Sequence, residues 1–256
     1  MKKFFLIIIL ATVATTIVSA QQGWEAGGWG GAAWYLGDLN TNFDFTHPGP
    51  AAGAAARYNF NDRVSLKFSA CYGRVRANDT WSKNEAERAR NLHFRSDLFE
   101  GDLHAEFNFL PYVHGSRDHF FTPYAFAGLT MVRYNPQAQY QGKWVDLRPL
   151  GTEGQFRGEE YFTMVPALGL GGGLKVDLNY YWSLNFEVGL RYMSNDYLDD
   201  VSTVYPDMDD IDALHGPIAV ALSDPSVNGI GTQGKQRGNS HLPTVLFFHY
   251  RQLKDL

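Results

Sequence analysis

Three titratable side chains at 102–106, Asp102, His104 and Glu106, take alternate positions along the chain. Alternate residues of a β-strand point to one side, so these three would be neighbours. A carboxylate beside an imidazole suits general acid–base chemistry. However, no activated serine and no metal-ligand spacing accompany the three residues. From these residues we therefore expect no catalytic residue, no metal site and no cofactor.

A second group of carboxylates lies in the loop 196–212, at Asp196, Asp199, Asp200, Asp207, Asp209, Asp210 and Asp212. Calcium prefers such oxygen ligands, but the segment lacks the glycine and the terminal glutamate of an EF-hand loop. Both a calcium-binding loop and a solvated acidic loop stay open, and the second is favoured. The single cysteine, Cys71, excludes a disulfide framework and a cysteine-based zinc site. We expect it to be an inert free thiol.

The dominant pattern in the sequence is an alternation of apolar and polar residues with period two, which is typical of β-strands. Strands are therefore the elements that position the residues named above. In 182–192, large apolar or aromatic side chains at even positions alternate with polar or small ones at odd positions. Three further segments show the same pattern, and four Gly- and Ala-rich segments show it more weakly. The pattern predicts eight strands, at 23–36, 51–60, 63–72, 98–109, 121–134, 161–177, 182–192 and 242–250.

The connections between these strands are sorted by length. Short connections alternate with long ones, which run over 37–50, 77–90, 136–160 and 195–240. Short periplasmic turns, long extracellular loops and an even strand number are typical of outer-membrane barrels. We therefore predict an all-β fold, an eight-stranded antiparallel transmembrane outer-membrane β-barrel. The alternative is a secreted soluble β-protein with its apolar face inward.

Aromatic residues near the predicted strand ends suggest an interfacial girdle. They are Trp24, Trp34, Tyr35, Tyr58, Tyr72, Tyr112, Tyr124, Tyr134, Tyr161, Tyr181, Trp182 and Tyr192.

The first twenty residues have the layout of a secretory signal peptide. Lys2 and Lys3 precede an apolar run, and a small-residue cleavage site ends at Ala20. An uncleaved anchor helix is the alternative. Residues 21–256 would then form a single barrel domain in the outer membrane. The net charge of -5 argues against a nucleic-acid partner.

An eight-stranded barrel has an interior just wide enough for side chains. If the polar faces point inward, a buried charge network forms from Arg57, Lys67, Glu106, Glu187 and Arg191. Such charges have to be mutually paired. The lumen is interpreted as a solid polar plug rather than as a pore or a catalytic cavity.

Several segments resemble the PorG-like outer-membrane barrels associated with the type IX secretion system. They are WYLGDLN (34–40), RYNFNDRVSLK (57–67), RNLHFRSDLFEGDLHAEFNF (90–109), FTPYAFAGL (121–129), RYNPQAQYQGKW (133–144), LRPLGTEGQ (147–155) and DYLDDVSTVYP (196–206). The resemblance implies a non-enzymatic role in protein export, and in some bacteria gliding, as a partner of a periplasmic PorK/PorN-type ring. The stretch 207–238 matches no part of the pattern and is interpreted as an insertion.

A periplasmic ring can be reached only from the periplasmic turns. The candidate contact residues there are Asn61, Asp62, Tyr112, His114, Arg117 and Asp118. His114 is expected to be solvated, and Tyr112 and Arg117 are expected to dominate binding because Tyr and Arg often do so at interfaces. No small-molecule substrate is expected. The competing functions are a barrel enzyme acting on lipid or protein at the outer rim, a small-solute pore, and a generic adhesin or stability barrel.

Overall fold

A computed structural model of the chain describes residues 23–226, 229–230, 233, 235–238 and 243–255. The predicted signal peptide lies outside the described residues. The strands are β1 Gly23–Leu36, β2 Gly49–Asn59, β3 Val64–Asn78, β4 His93–Asn108, β5 Phe121–Tyr140, β6 Lys143–Asp146, β7 Met164–Asp177, β8 Trp182–Met193 and β9 Thr244–Asp255. The α-helices are α1 Glu85–Arg90, α2 Met208–His215 and α3 Pro217–Ser223, and short 3-10 helices span Asp79–Trp81 and Arg148–Leu150.

Eight of these strands form a closed antiparallel ring. The order around the ring is β4-β3-β2-β1-β9-β8-β7-β5, and the pairing of β4 with β5 closes it. The short strand β6 pairs only with the outer end of β5, as an extension of the hairpin beyond the ring. Closure leaves none of the eight strands with an unpaired edge. The predicted eight-stranded barrel is therefore confirmed.

The central strands are longer than the sequence pattern predicts. β3 continues to Asn78, β4 begins at His93, and β5 continues to Tyr140. In this outer extension Arg74 lies directly opposite Asp97, and the Arg74 guanidinium lies 2.6 Å from its carboxylate. Polar cross-strand pairs interrupt the apolar alternation, so the sequence pattern ends where the strands rise above the apolar belt.

The outside of the barrel is an apolar belt. Leu103, Leu129 and Leu168 lie side by side on neighbouring strands, and Leu129 is 67% exposed. An exposed apolar surface around a closed barrel is the surface that hydrocarbon covers. The molecule is an outer-membrane β-barrel. Among the described residues, no helix has the length and apolar content needed to cross a membrane.

The connections are sorted by length with one exception. Residues 60–63, 109–120 and 178–181 form the turns at one end of the barrel. At the other end 79–92, 141–163 and 194–243 are longer than all three turns, whereas 37–48 is as long as 109–120. The connections at this second end carry all the helical segments of the described chain.

The predicted aromatic girdle is only partly correct. Trp24, Tyr181, Trp182 and Tyr192 are exposed at the belt margins. Four of the other predicted members are buried instead, namely Tyr35, Tyr112, Tyr124 and Tyr134. Each of these four hydroxyls makes a hydrogen bond inside the molecule. Buried tyrosine needs such a partner for its hydroxyl, and proximity to a strand end did not indicate on which side the ring lies.

The barrel interior has two zones. The outer half holds a packed apolar cluster that includes Trp29, Tyr35, Phe94, Leu98, Val132, Tyr134, Met193 and Phe247. The periplasmic half holds buried charges, described below. The interior is therefore filled by side chains along the described length of the strands.

The outward position of Leu129 generates a stability test. Leu129→Arg places a charge near the middle of the apolar belt, so it should lower the free energy of unfolding by about 2–4 kcal/mol. Gln139→Arg is the matched control, because Gln139 is exposed on the same strand beyond the belt. Urea titration in lipid vesicles, read by heat-modifiable gel mobility, measures both variants. Equal effects at the two positions would contradict a membrane-embedded belt.

Candidate functional site

Glu106 is the centre of the buried charge cluster in the periplasmic half of the lumen. Its carboxylate lies 2.7 Å from Arg57 Nε, 2.8 Å from Lys175 Nζ and 3.4 Å from Lys67 Nζ. All four side chains are almost completely buried. A buried charge is tolerated when opposite charges and hydrogen bonds surround it, and Glu106 meets this condition on three sides.

Two more carboxylates balance the cluster. Glu25 lies 3.0 Å from Arg57, and Glu187 lies 2.7 Å from Lys67. Tyr124 also donates a hydrogen bond of 2.6 Å to Glu187. Three cations therefore meet three carboxylates, contributed by strands on all sides of the ring.

The strand register explains why Arg57 and Lys67 need carboxylate partners from several strands, of which β1 and β4 are neighbours and β8 lies across the lumen. Arg57 of β2 lies directly opposite Lys67 of β3, and like charges in a cross-strand pair repel. The carboxylates that neutralise them extend inward from β1, β4 and β8. Four of the predicted lumen residues, Arg57, Lys67, Glu106 and Glu187, thus lie in one cluster.

Arg191 lies apart from that cluster. Its guanidinium lies 3.3 Å from Glu100 and 3.4 Å from Asp102, nearer the apolar zone. The sequence prediction did not include Glu25, Glu100 or Lys175. The alternation that places Asp102 and Glu106 on the polar face of their strand places Glu100 there too. Lys175 follows a run of glycines, so the sequence does not show which face of that strand points into the lumen.

His104 and Asp102 are neighbours, as the alternation predicts, but the hydroxyls around them are not activated. Ser69 and Thr130 each donate a hydrogen bond of 2.6 Å to Asp102. His104 Nε2 lies 3.6 Å from Asp102 and 3.3 Å from the Thr130 hydroxyl. A nucleophile would instead donate its proton to the imidazole. The geometry supports structural hydrogen bonding at this position.

The longest periplasmic turn is held by one carboxylate. Asp177 accepts a hydrogen bond from the Tyr112 hydroxyl and one of 2.8 Å from the Gly115 amide, and His114 Nδ1 lies 2.7 Å away. Tyr112 is 5% exposed and His114 is 6% exposed. The prediction that His114 is solvated, and that Tyr112 offers a contact surface, is therefore wrong. Both side chains turn inward because Asp177 provides a buried acceptor.

The remaining predicted contact residues are accessible. Arg117 and Asp118 are exposed at the tip of this turn, and Asn61 and Asp62 are half-buried in the neighbouring turn. The Asp62 carbonyl accepts hydrogen bonds from the Tyr112 amide, 3.0 Å, and the Asn108 side chain, 3.1 Å. The two turns are thus fastened together, and the surface formed by Asn61, Asp62, Arg117 and Asp118 is called the periplasmic face below.

The acidic loop is not solvated throughout. Asp196, Asp199 and Asp200 are buried in a cap over the outer rim, which corrects the favoured interpretation. Asp199 accepts a hydrogen bond from Tyr35, and Asp200 accepts hydrogen bonds from Thr152 and Tyr161. The second half of the loop agrees better with expectation: Asp207 caps the first turn of α2, and three aspartates are exposed, Asp209, Asp210 and Asp212.

The stretch interpreted as an insertion contributes to this cap. Arg237 is buried and lies 3.2 Å from Glu153, and it donates a hydrogen bond of 2.6 Å to the carbonyl of Asp200. Burial raises the pKa of Asp196 to about 7 and of Asp200 to about 6, and it raises the pKa of Asp199 well above the ordinary aspartate value.

A groove of about 530 Å³ opens beside the cap, between the loops 37–48 and 76–87. His47 stacks on Trp81 at a ring distance of 3.6 Å, and Arg76 lies 6.0 Å from the same ring. Polar side chains and exposed aromatics share its walls.

Comparison with known proteins gives the family. A family described as "Domain of unknown function (DUF6089)" matches residues 2–217. The chain belongs to the DUF6089 family. No protein in the curated set matches it by sequence.

The chain is also similar to solved outer-membrane proteins. Ail, the attachment invasion locus protein of Yersinia pestis, shares 9% identity, with 93% of this chain and 100% of that chain covered and a TM-score of 0.42. OprG from Pseudomonas aeruginosa shares 10%, with coverage of 93% and 99% and a TM-score of 0.44. Neisserial surface protein A shares 12%, with the same coverage of 93% and 99% and a TM-score of 0.44.

Because Glu106 lies among three cations, we expect that removing its charge strongly destabilises the folded barrel. Glu106→Gln leaves Arg57, Lys67 and Lys175 with an excess of buried positive charge, which should cost about 3–5 kcal/mol of folding free energy. Glu85→Gln is the control, since Glu85 is exposed and lies 3.8 Å from Arg88, and its effect should stay within about 0.5 kcal/mol. Urea unfolding midpoints measure both. If Glu106→Gln shifted the midpoint as little as Glu85→Gln does, Glu106 would not be the counter-charge of the three buried cations.

The buried carboxylates of the cap predict a pH dependence. Their raised pKa values mean that the folded cap holds protons that the open cap releases. This stabilisation is fully present below the ordinary aspartate range and is lost as pH rises through about 6–7. Amide exchange in 194–206, corrected for its intrinsic rate, should therefore accelerate between about pH 5 and about pH 8. Asp196→Asn should reduce the dependence, whereas Asp209→Asn should not. If amide protection in 194–206 were the same across this pH range, the aspartates of the cap would not be the groups that stabilise it at low pH.

Proposed function

We propose that this protein is a non-enzymatic outer-membrane component of a type IX secretion machine and tethers a periplasmic PorK/PorN-type ring. Support comes from the resemblance of segments along almost the whole mature chain to PorG-like barrels. In bacteria that glide by this machine, the same tether would serve gliding.

The observation that carries the proposal is the fixed geometry of the periplasmic face. Asp177 holds the turn 109–120 through three contacts, and Asp62 joins that turn to its neighbour. A rigid surface loses less conformational entropy on binding than a loose turn does. Arg117 and Asp118 extend from it, so charges of both signs are available to a partner.

The filled interior favours a tether over the competing functions. The ion pairs around Glu106 and the apolar zone above them occupy the lumen that a solute pore would need. The hydroxyls beside His104 donate to Asp102, which disfavours nucleophilic catalysis at that position. These features leave the two ends of the barrel as its working surfaces.

The outer groove favours a second candidate function, binding of an extracellular ligand by the long loops. Its volume of about 530 Å³ is in the range of small-ligand sites. The two candidates differ in the side of the membrane on which a partner contacts the barrel. Cross-linking from the periplasmic face supports the tether, and cross-linking from the groove supports an adhesin-like role.

The tether is tested with Arg117→Ala combined with Asp118→Ala. The pair should reduce co-purification of the ring proteins by at least about tenfold if these charges anchor the contact. Because both side chains are exposed, heat-modifiable mobility should stay unchanged. Glu85→Ala with Arg88→Ala is the matched control, an exposed charge pair on the opposite side of the membrane.

Tyr112→Ala is unsuitable for this purpose, because it would remove a buried contact of Asp177. Full ring recovery with the Arg117 and Asp118 variant would overturn the proposed surface. Normal export of secreted proteins by a strain lacking the gene would overturn the proposed function itself.

A further inference from the structure

We propose that Cys71, Glu100 and Asp102 bind one zinc-class divalent cation inside the barrel, in contrast to the expectation from the sequence that Cys71 is an inert thiol and that no metal site exists. One donor atom from each residue lies within 4.8 Å of the other two, and all three side chains are buried. The site is distinct from the Glu106 cluster and lies where the charged zone meets the apolar zone.

The strand register brings the three donors together. Cys71 of β3 lies directly opposite Glu100 of β4, and its sulfur lies 3.7 Å from Oε2 of the Glu100 carboxylate. Asp102 is two residues further along β4 and points to the same side. A separation of 3.7 Å between sulfur and oxygen suits two ligands of one tetrahedral ion, given bond lengths of about 2.3 Å and about 2.0–2.2 Å.

A second observation that supports a bound cation comes from the Glu100 carboxylate. Its Oε1 is buried and has no hydrogen-bond partner within the described part of the chain, and the residue is only 4% exposed. A buried carboxylate oxygen without a partner is energetically costly, and such a group needs a specific explanation. A cation bound beside Cys71 would satisfy it.

The local charge also fits a divalent ion. A Cys71 thiolate and the carboxylates of Glu100 and Asp102 carry three negative charges. Arg191 is the only described Lys or Arg within ion-pair distance of the two carboxylates, so with His104 neutral two negative charges remain once the thiol has given up its proton to bind the ion. A divalent cation brings the site to neutrality. Without the ion the Cys71 thiol keeps its proton and donates to Glu100 Oε2, and one carboxylate charge stays uncompensated by Arg191, which is unfavourable in a buried site.

The surrounding side chains hold the carboxylates in place. Ser69 and Thr130 donate hydrogen bonds of 2.6 Å to Asp102. Arg191 and the Cys71 thiol both contact Glu100 through Oε2, which leaves Oε1 available to an ion. Carboxylate ligands of metals are commonly oriented by such outer hydrogen bonds. A sulfur donor selects zinc or cadmium over calcium or magnesium, which prefer oxygen ligands alone.

The single cysteine allows an unambiguous test. Purified barrel, treated with chelator and refolded in detergent, is titrated with Cd²⁺ and with Zn²⁺, both during and after refolding. A cadmium–thiolate charge-transfer band can arise only from Cys71. We expect this band and one bound Zn²⁺ per chain by elemental analysis. Zn²⁺ should also raise the temperature at which the heat-modified gel band appears.

Variants separate a built site from a reactive thiol. Cys71→Ser should lose the band, and Glu100→Gln should weaken binding by at least about tenfold, as is typical when metal-site partners are changed. Asp209→Asn with Asp210→Asn, in the exposed acidic segment, should leave binding unchanged. Heat-modifiable mobility confirms that each variant folds.

Two results would overturn the proposal. One is the absence of a cadmium–thiolate band in barrel refolded with the ion. The other is a band whose affinity is unaffected by Glu100→Gln in a folded variant, since that would indicate an isolated thiol.

Discussion

Backbone amides in hydrocarbon have no water to bond with, and the pairing of β4 with β5 is the contact that satisfies this constraint here. Once the ring is closed, successive side chains have to point alternately to lipid and to the lumen. Leu103 and Leu129 therefore face outward, and Asp102 and Glu106 face inward. The buried charges are a direct consequence of closure, because every polar position of the alternation becomes an interior position.

An interior of this width cannot solvate those charges, so they have to neutralise one another. The register sets Arg57 opposite Lys67, and the two cations are balanced by Glu25 and Glu106 from adjacent strands and by Glu187 from across the ring. The cluster thereby links strands that are distant in the ring, in addition to the backbone ladders. The pair Glu100 and Asp102 has fewer cations than the Glu106 cluster. Arg191 is shared between the two carboxylates, and one oxygen of Glu100 has no described partner.

The sequence predicted what depends on periodicity and missed what depends on register. Alternation in 182–192 placed Glu187 and Arg191 inside, and loop lengths oriented the barrel. Neither pattern could show that Cys71 lies opposite Glu100, or that Asp177 reaches Tyr112 and His114, because such pairs join separate strands and turns. For the same reason the acidic loop was interpreted as solvated: the acceptor role of Asp199 depends on Tyr35, which lies on the first strand.

At both ends of the barrel, a buried aspartate that accepts several hydrogen bonds fixes the loops. At the periplasmic end, Asp177 collects a hydroxyl, an imidazole and an amide, and at the outer end Asp200 collects Thr152 and Tyr161. A buried carboxylate with several donors fixes loop geometry where no sheet hydrogen bonds are available. Because the lumen is filled, a partner can contact the protein only at its two ends or through lipid. The fixed loops therefore make the two ends suited to binding, and the periplasmic one is the end that a periplasmic ring can reach.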